Sequence, residues 1–202
     1  MPAQWSTFIP VVGGYLNSAT EGKTEEETAE KIASEYHKAV LTAQTILHVN
    51  LPLVQAPYQP IKLGILKTLN DIKDSEGRAK LNHFTDWANA TSQYWLATTM
   101  SPVPFHPINM GLSTGTAGVP VPITHIINNG GNIPALKAGL LAAFTHPPSP
   151  VPFGIPFATK LVAAFTTHLQ SVGGLQTEFV TSGTPITPIP LGPIPQPWIG
   201  MV

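Results

Sequence analysis

Seven histidines, His37, His48, His83, His106, His125, His146 and His168, are the residues of this chain best suited to general-base or metal chemistry. An imidazole titrates near neutral pH and ligates through either nitrogen. Their spacing offers no HxH or HExxH pair, and it never places two ligands on one helical face. His83 and Asp86 stand three apart on a predicted helix, close enough to touch, but no third ligand joins them and a surface pair accounts for both. Asp71, Asp74 and Glu76 cluster between two predicted helices, where a cation site or a glycosidase carboxylate pair would be sought. Their spacing fits no EF-hand, and helix capping with a solvated turn explains them. There is no GxSxG, P-loop or GxGxxG pattern, and with no Cys there is neither a thiolate nor a disulfide. The reading is non-enzymatic, with no catalytic residue, metal or cofactor.

The elements that would position any site are unusual in composition. Of 202 residues only 10% are charged, against roughly a quarter in an ordinary domain, and 22 are Pro, about twice the usual share. Beyond Asp86 the charged residues are Lys137, Lys160 and Glu178 alone. A surface so poor in charge is expected to be covered by other protein. A net charge of −1 and the lack of clustered Lys or Arg give no reason to expect nucleic acid. No basic leader and no apolar run of 18 residues argue for export or membrane spanning.

The expected fold is mainly α: a small helical bundle, then a Pro/Gly-rich irregular region with two short apolar helices, then an extended C-terminal arm. Residues 1–22 are apolar without a regular period, and read as an N-terminal arm with Trp5 and Phe8 as anchors. The bundle covers 23–98. Thr24 and Glu27 form a capping box, and Ala29, Ile32, Ala33, Tyr36, Val40, Ala43 and Leu47 recur at helical spacing, predicting a helix from about Glu25 to His48. Pro60 starts a second helix bearing Ile61, Ile65, Leu69 and Ile72. Ser75 is read as the N-cap of a third, whose Leu81, Phe84, Trp87, Tyr94 and Trp95 give an aromatic core face. The loop-rich region spans 99–182, with a short strand near Val121 to Ile127. Asn132 with Pro134 opens one apolar helix to about Thr145, and Pro156 opens another to about Val172. Two phrases repeat in it: Ser101-Pro102-Val103-Pro104-Phe105 returns as Ser149-Pro150-Val151-Pro152-Phe153, and Leu141–Thr145 is echoed at Val162–Thr166.

Residues 183–202 hold six prolines within 13 residues, which favours polyproline II reaching roughly 50 to 60 Å. Ile186, Ile189, Leu191, Ile194, Trp198, Ile199 and Met201 punctuate this arm and need a surface to lie on. With Trp5 and Phe8 they are the expected partner-binding residues, and the arm is expected to order only on a neighbouring subunit.

Several stretches carry a resemblance. Glu26-Glu27-Thr28-Ala29-Glu30-Lys31-Ile32-Ala33 leading to Tyr36-His37, Thr98-Thr99-Met100-Ser101-Pro102-Val103-Pro104-Phe105-His106-Pro107, Pro148–Phe153 and Pro197-Trp198-Ile199-Gly200-Met201 are similar to small structural proteins of T4-like tailed bacteriophages, especially cyanophages. The resemblance spans most of the chain and brings no site residues with it. It implies a virion protein assembled in the host cytoplasm, in the tail baseplate ahead of the head, whose partners are other virion structural proteins in a homo- or hetero-oligomeric assembly. The competing expectation is a membrane-active protein of entry or lysis. The lack of Lys and Arg beside the apolar half disfavours anionic lipid.

Overall fold

A computed structural model describes residues 3–17, 23–41, 43, 53–54, 56–100, 103–105, 121–123, 125–145, 154–184, 187–199 and 201. The described chain is mainly helical: α1 (Trp5–Asn17), α2 (Glu25–Val40), α3 (Gln59–Asp74), α4 (Thr85–Leu96), α5 (Ile133–Phe144) and α6 (Gly154–Leu169). Short antiparallel pairs join β1 (Leu53–Val54) to β2 (Thr99–Met100), and β3 (Val103–Phe105) to β4 (Val121–Ile123). A three-stranded antiparallel sheet orders β5 (His125–Gly130), β6 (Val172–Thr184) and β7 (Thr187–Ile199), with β6 central.

Local chemistry sets the helix ends. Glu27 N donates to the Thr24 hydroxyl at 3.1 Å and Thr24 N to the Glu27 carboxylate at 3.0 Å, closing the capping box and satisfying two amides that the helix cannot. Asn132 caps α5 by accepting from Ala135 N at 3.0 Å. Ser75 is not an N-cap; it belongs to the exit of α3. Glu76 and Gly77 take the left-handed conformation, with φ 56° and 75°, and Gly77 N returns to the Ile72 carbonyl at 2.9 Å. That closure terminates α3, and a 3-10 turn at Leu81–Phe84 leads into α4 instead. The expected end of α2 at Leu47 and His48, beyond Val40, lies outside the described residues, as does the Ser149–Phe153 repeat.

The N-terminal arm expected over 1–22 is a helix of the chain's own core. α1 runs antiparallel to α6, with Trp5 stacked on Phe165 at one end (centroids 5.9 Å, planes 21° apart) and Asn17 Oδ1 accepting from Gly154 N at 2.6 Å at the other. Between them a Cβ on Gly13 would stand 2.5 Å from Ile155, so glycine lets the two backbones close up. Phe165 also meets Phe8, Tyr36 and Trp87, at 5.9, 4.7 and 6.3 Å. Rings from α1, α2, α4 and α6 thus share one cluster. The boundary expected at 98/99 is not a boundary of the core. Fully buried aromatic side chains are worth roughly 1.5–3 kcal/mol each in transfer free energy, which makes this cluster the main holder of the helices.

α5 and α6 pack just as closely. A Cβ on Gly139 would lie 2.6 Å from that of Ala164, and Phe144 meets Phe157 edge-on at 4.9 Å. Lys160 Nζ donates to the carbonyls of Ala142 and Thr145 at 3.3 and 3.5 Å, placing a cation on the C-terminal end of α5.

Candidate interaction surface

The polar clusters decide whether chemistry is available. His83 and Asp86 do not pair. His83 is buried, with Nδ1 accepting from Lys80 N at 3.4 Å and Nε2 3.5 Å from the Ser75 hydroxyl, whereas Asp86 takes Lys67 at 2.6 Å. Asp71 also pairs with Lys67, at 3.3 Å, and Glu76 with Arg78 at 3.7 Å, so these two carboxylates face lysine and arginine rather than one another. Among the described residues no group of His, Asp and Glu has metal-ligand geometry.

A second cluster escaped sequence reading because its members come from two helices and a loop. His37 Nδ1 lies 2.8 Å from the Tyr94 hydroxyl, Trp95 Nε1 donates to the Tyr36 hydroxyl at 2.9 Å, and Tyr58 donates to Glu30 at 2.6 Å. Burial pushes both the Tyr36 and Tyr94 phenols far up and the His37 imidazole down. Those shifts favour neutral groups, which suits a hydrogen-bonded core better than proton transfer. An open groove of about 620 Å³ lies beside α2, lined in part by Lys23, Lys31 and Lys62 and by Glu26, Glu27 and Glu30. Lys62 bridges Glu26 and Glu30 at 3.1 and 3.2 Å, and Lys31 meets Glu35 at 3.4 Å. Its charges are largely satisfied internally, leaving little to attract a charged ligand.

His168 is the third polar feature. It is fully buried on α6, and neither ring nitrogen has a hydrogen-bond partner among the described residues. Gly131, at φ 97°, passes so close that a Cβ there would stand 2.5 Å from Nε2. Desolvation lowers the imidazole to about 4. A ring held neutral by burial under a glycine turn wedges the sheet onto the helices.

The sheet is where the expected partner residues converge. Ile127 and Val172 turn into the core, while Ile126, opposite Leu175, is 60% exposed. Ile199, opposite Gly173, is 67% exposed and shares that outer face, because alternate strand residues point the same way. Ile126, Leu175 and Ile199 therefore form an apolar outer patch on adjacent strands, two of them missed by sequence reading. Leu175 lies in the stretch after Gly173 and Gly174, which reads as the end of a helix.

The other expected anchors divide. Phe8 is fully buried in the aromatic cluster and Trp5 packs on Tyr36 and Phe165, so neither is offered to a neighbour while α1 stays docked. Met201 is likewise buried, and its amide donates to the Leu169 carbonyl at 3.0 Å; it pins the C-terminal end to this chain's own core. Ile189, Ile194 and Trp198 are β7 positions opposite Ser182, Glu178 and Gly174, and Leu191 sits at the register shift. Ile186 lies outside the described residues. The arm expected to order on a neighbour is paired within the chain, strand to strand with β6.

That pairing has a regular chemistry. Pro188, Pro190, Pro193, Pro195 and Pro197 lie opposite Gly183, Thr181, Phe179, Thr177 and Leu175, every second residue of β6. The extra residue at Leu191 compensates for the change from even to odd numbering and keeps all five prolines in one phase. A proline has no N–H, so a ladder that includes it must place it where the amide would point away from the partner strand. At the five proline positions the outer edge of β7 consequently presents carbonyls and no donor.

No protein family, curated protein or solved structure matches this chain.

Proposed function

We propose that the protein is a non-enzymatic structural component of a tailed-phage virion, sited in the tail baseplate, where it locks neighbouring subunits through its apolar surfaces. The observation that carries the proposal is the outer face of the sheet, with Ile126 and Ile199 more than half exposed in a segment almost without charge. Apolar surface of this kind is stabilised by burial against another protein, and the charge-poor surroundings impose little desolvation cost on that burial. The likeness of the quoted stretches to phage structural proteins supplies the kind of assembly. The contact residues on this reading are Ile126, Leu175 and Ile199, whereas Trp5, Phe8 and Met201 serve the internal core.

The experiment is quantitative mass spectrometry of purified particles, with tail-less heads and isolated tails measured separately. A fixed copy number in tails is the expected result, and one found in heads alone would move the protein to the capsid. Absence from particles together with flotation on lipid vesicles would replace this proposal by membrane action. Among the described residues no helix is long and apolar enough to cross a membrane.

A further inference from the structure

β6 is paired on both sides only for part of its length. Towards β5 its last pairing sets Gln176 against His125, while towards β7 pairing continues to Thr184 opposite Thr187. From Thr177 onward the described strands form a two-stranded ribbon with two chemically different edges. The β7 edge is closed by its five prolines. On the β6 edge the same phase argument gives the opposite result. Since the prolines face Thr177, Phe179, Thr181 and Gly183, it is the amides of Glu178, Val180 and Ser182 that turn towards β7. The N–H and C=O groups of Thr177, Phe179, Thr181 and Gly183 then turn outward, and no described strand pairs with them, although β4 comes near β6 without pairing.

We propose that this open edge is a dimerisation seam, on which β6 of a second copy pairs antiparallel with β6 of the first. Alternating donors and acceptors along an extended backbone are matched best by another strand. A second copy is the occupant that leaves no new edge unprotected: the strand order becomes β7-β6-β6-β7, and both outer edges are the proline-bearing β7. An isologous contact of this kind closes at two, where a foreign strand would bring a further edge of its own. Pairing centred on Val180 sets Phe179 against the partner's Thr181 and Thr177 against the partner's Gly183, so outward amides meet outward carbonyls. Glu178, the sole ionisable residue from Val172 to Thr184, then faces the partner's Ser182, and no like charges oppose.

The inference does not depend on the virion reading, since dimerisation is measured on the isolated chain. Sedimentation velocity of the full-length protein over a dilution series should show a monomer–dimer equilibrium; a monomer at every concentration overturns the proposal. Thr177→Pro with Phe179→Pro removes outward donors while leaving those that serve β7, and should give a monomer with unchanged helical circular dichroism. A dimer that survives this double substitution also overturns it. Should the variant fail to fold, hydrogen exchange on the wild type decides. The amides of Phe179 and Thr181 should be protected in concentrated protein and lose protection on dilution, while Val180 stays unchanged. Equal exchange at both concentrations would rule the seam out.

Discussion

Trp5 stacks on Phe165 with ring planes 21° apart, joining the first described helix to the sixth. Helices at opposite ends of the chain therefore close one core, and the stack converts an N-terminal segment without helical period into a structural member. Phe8 tests this directly. It is fully buried against Phe165, so Phe8→Ala should cost about 3–5 kcal/mol in denaturant unfolding of the isolated protein. An unchanged midpoint would mean that α1 is an arm after all.

The α5–α6 crossing supplies a paired test. Gly139→Ala gains helix propensity of about 1 kcal/mol but forces a Cβ to within 2.6 Å of the Ala164 Cβ. Overpacking of this kind costs about 1–3 kcal/mol, so net destabilisation is expected. Ala164→Gly in the same chain removes the closest contact, leaving the Ala164 Cα at 3.1 Å, and should recover part of the loss. Additive effects in that double-mutant cycle would show that the helices are further apart than described.

How much of this was legible follows from where each signal resides. Thr24 with Glu27, Pro60, and Asn132 with Pro134 announce helix starts because capping is a local exchange of hydrogen bonds, complete within four residues. α1 is not legible. Pro10 and paired Gly13 and Gly14 erase the usual helical signals, and Gly13 serves a contact with Ile155 that only the folded chain creates. The same holds for the C-terminal hairpin. Polyproline II and a β-strand share extended backbone angles, so prolines at every second position suit both. The choice was made by β6, whose Gly173 and Gly174 read as a helix stop. The apolar patch was half visible: Ile199 could be picked from composition, but Ile126 and Leu175 become its neighbours only through register.

His168 sets a pH dependence. Its folded-state value, about 4, lies below the unfolded one near 6.5, so between those values the unfolded chain binds the extra proton. Stability contributed by the neutral ring is therefore fully present above about pH 6.5 and lost as pH falls towards about 4. A shift of this size corresponds to roughly 3 kcal/mol across the window. His37, also lowered by burial, adds in the same direction. Unfolding free energies of wild type and His168→Leu, measured from pH 7 to pH 4, should diverge in slope, the variant losing less. Parallel curves would show that the imidazole is solvated or paired in the folded protein.

Ile199, the last residue of β7, and Met201 beyond it have opposite duties, and that separates folding from assembly. Met201 is buried and its amide holds Leu169, whereas Ile199 is 67% exposed on the outer face. Met201→Ala should cost about 2–5 kcal/mol of stability through the lost burial and the cavity left behind. Ile199→Asp removes no internal packing, so its effect on stability should stay within about 0.5 kcal/mol, as for other exposed positions. On an interface the order reverses, because a carboxylate placed in a dry apolar contact must be desolvated without a partner. Incorporation into particles should therefore fall sharply for Ile199→Asp. Met201→Ala, assayed below its melting temperature, should retain it. Thermal melts and particle incorporation measured on the same preparations decide the matter. Should Ile199→Asp assemble as well as the wild type, the outer sheet face is not the contact surface. Should it unfold the isolated chain, Ile199 belongs to the core and the division of labour along β7 is wrong.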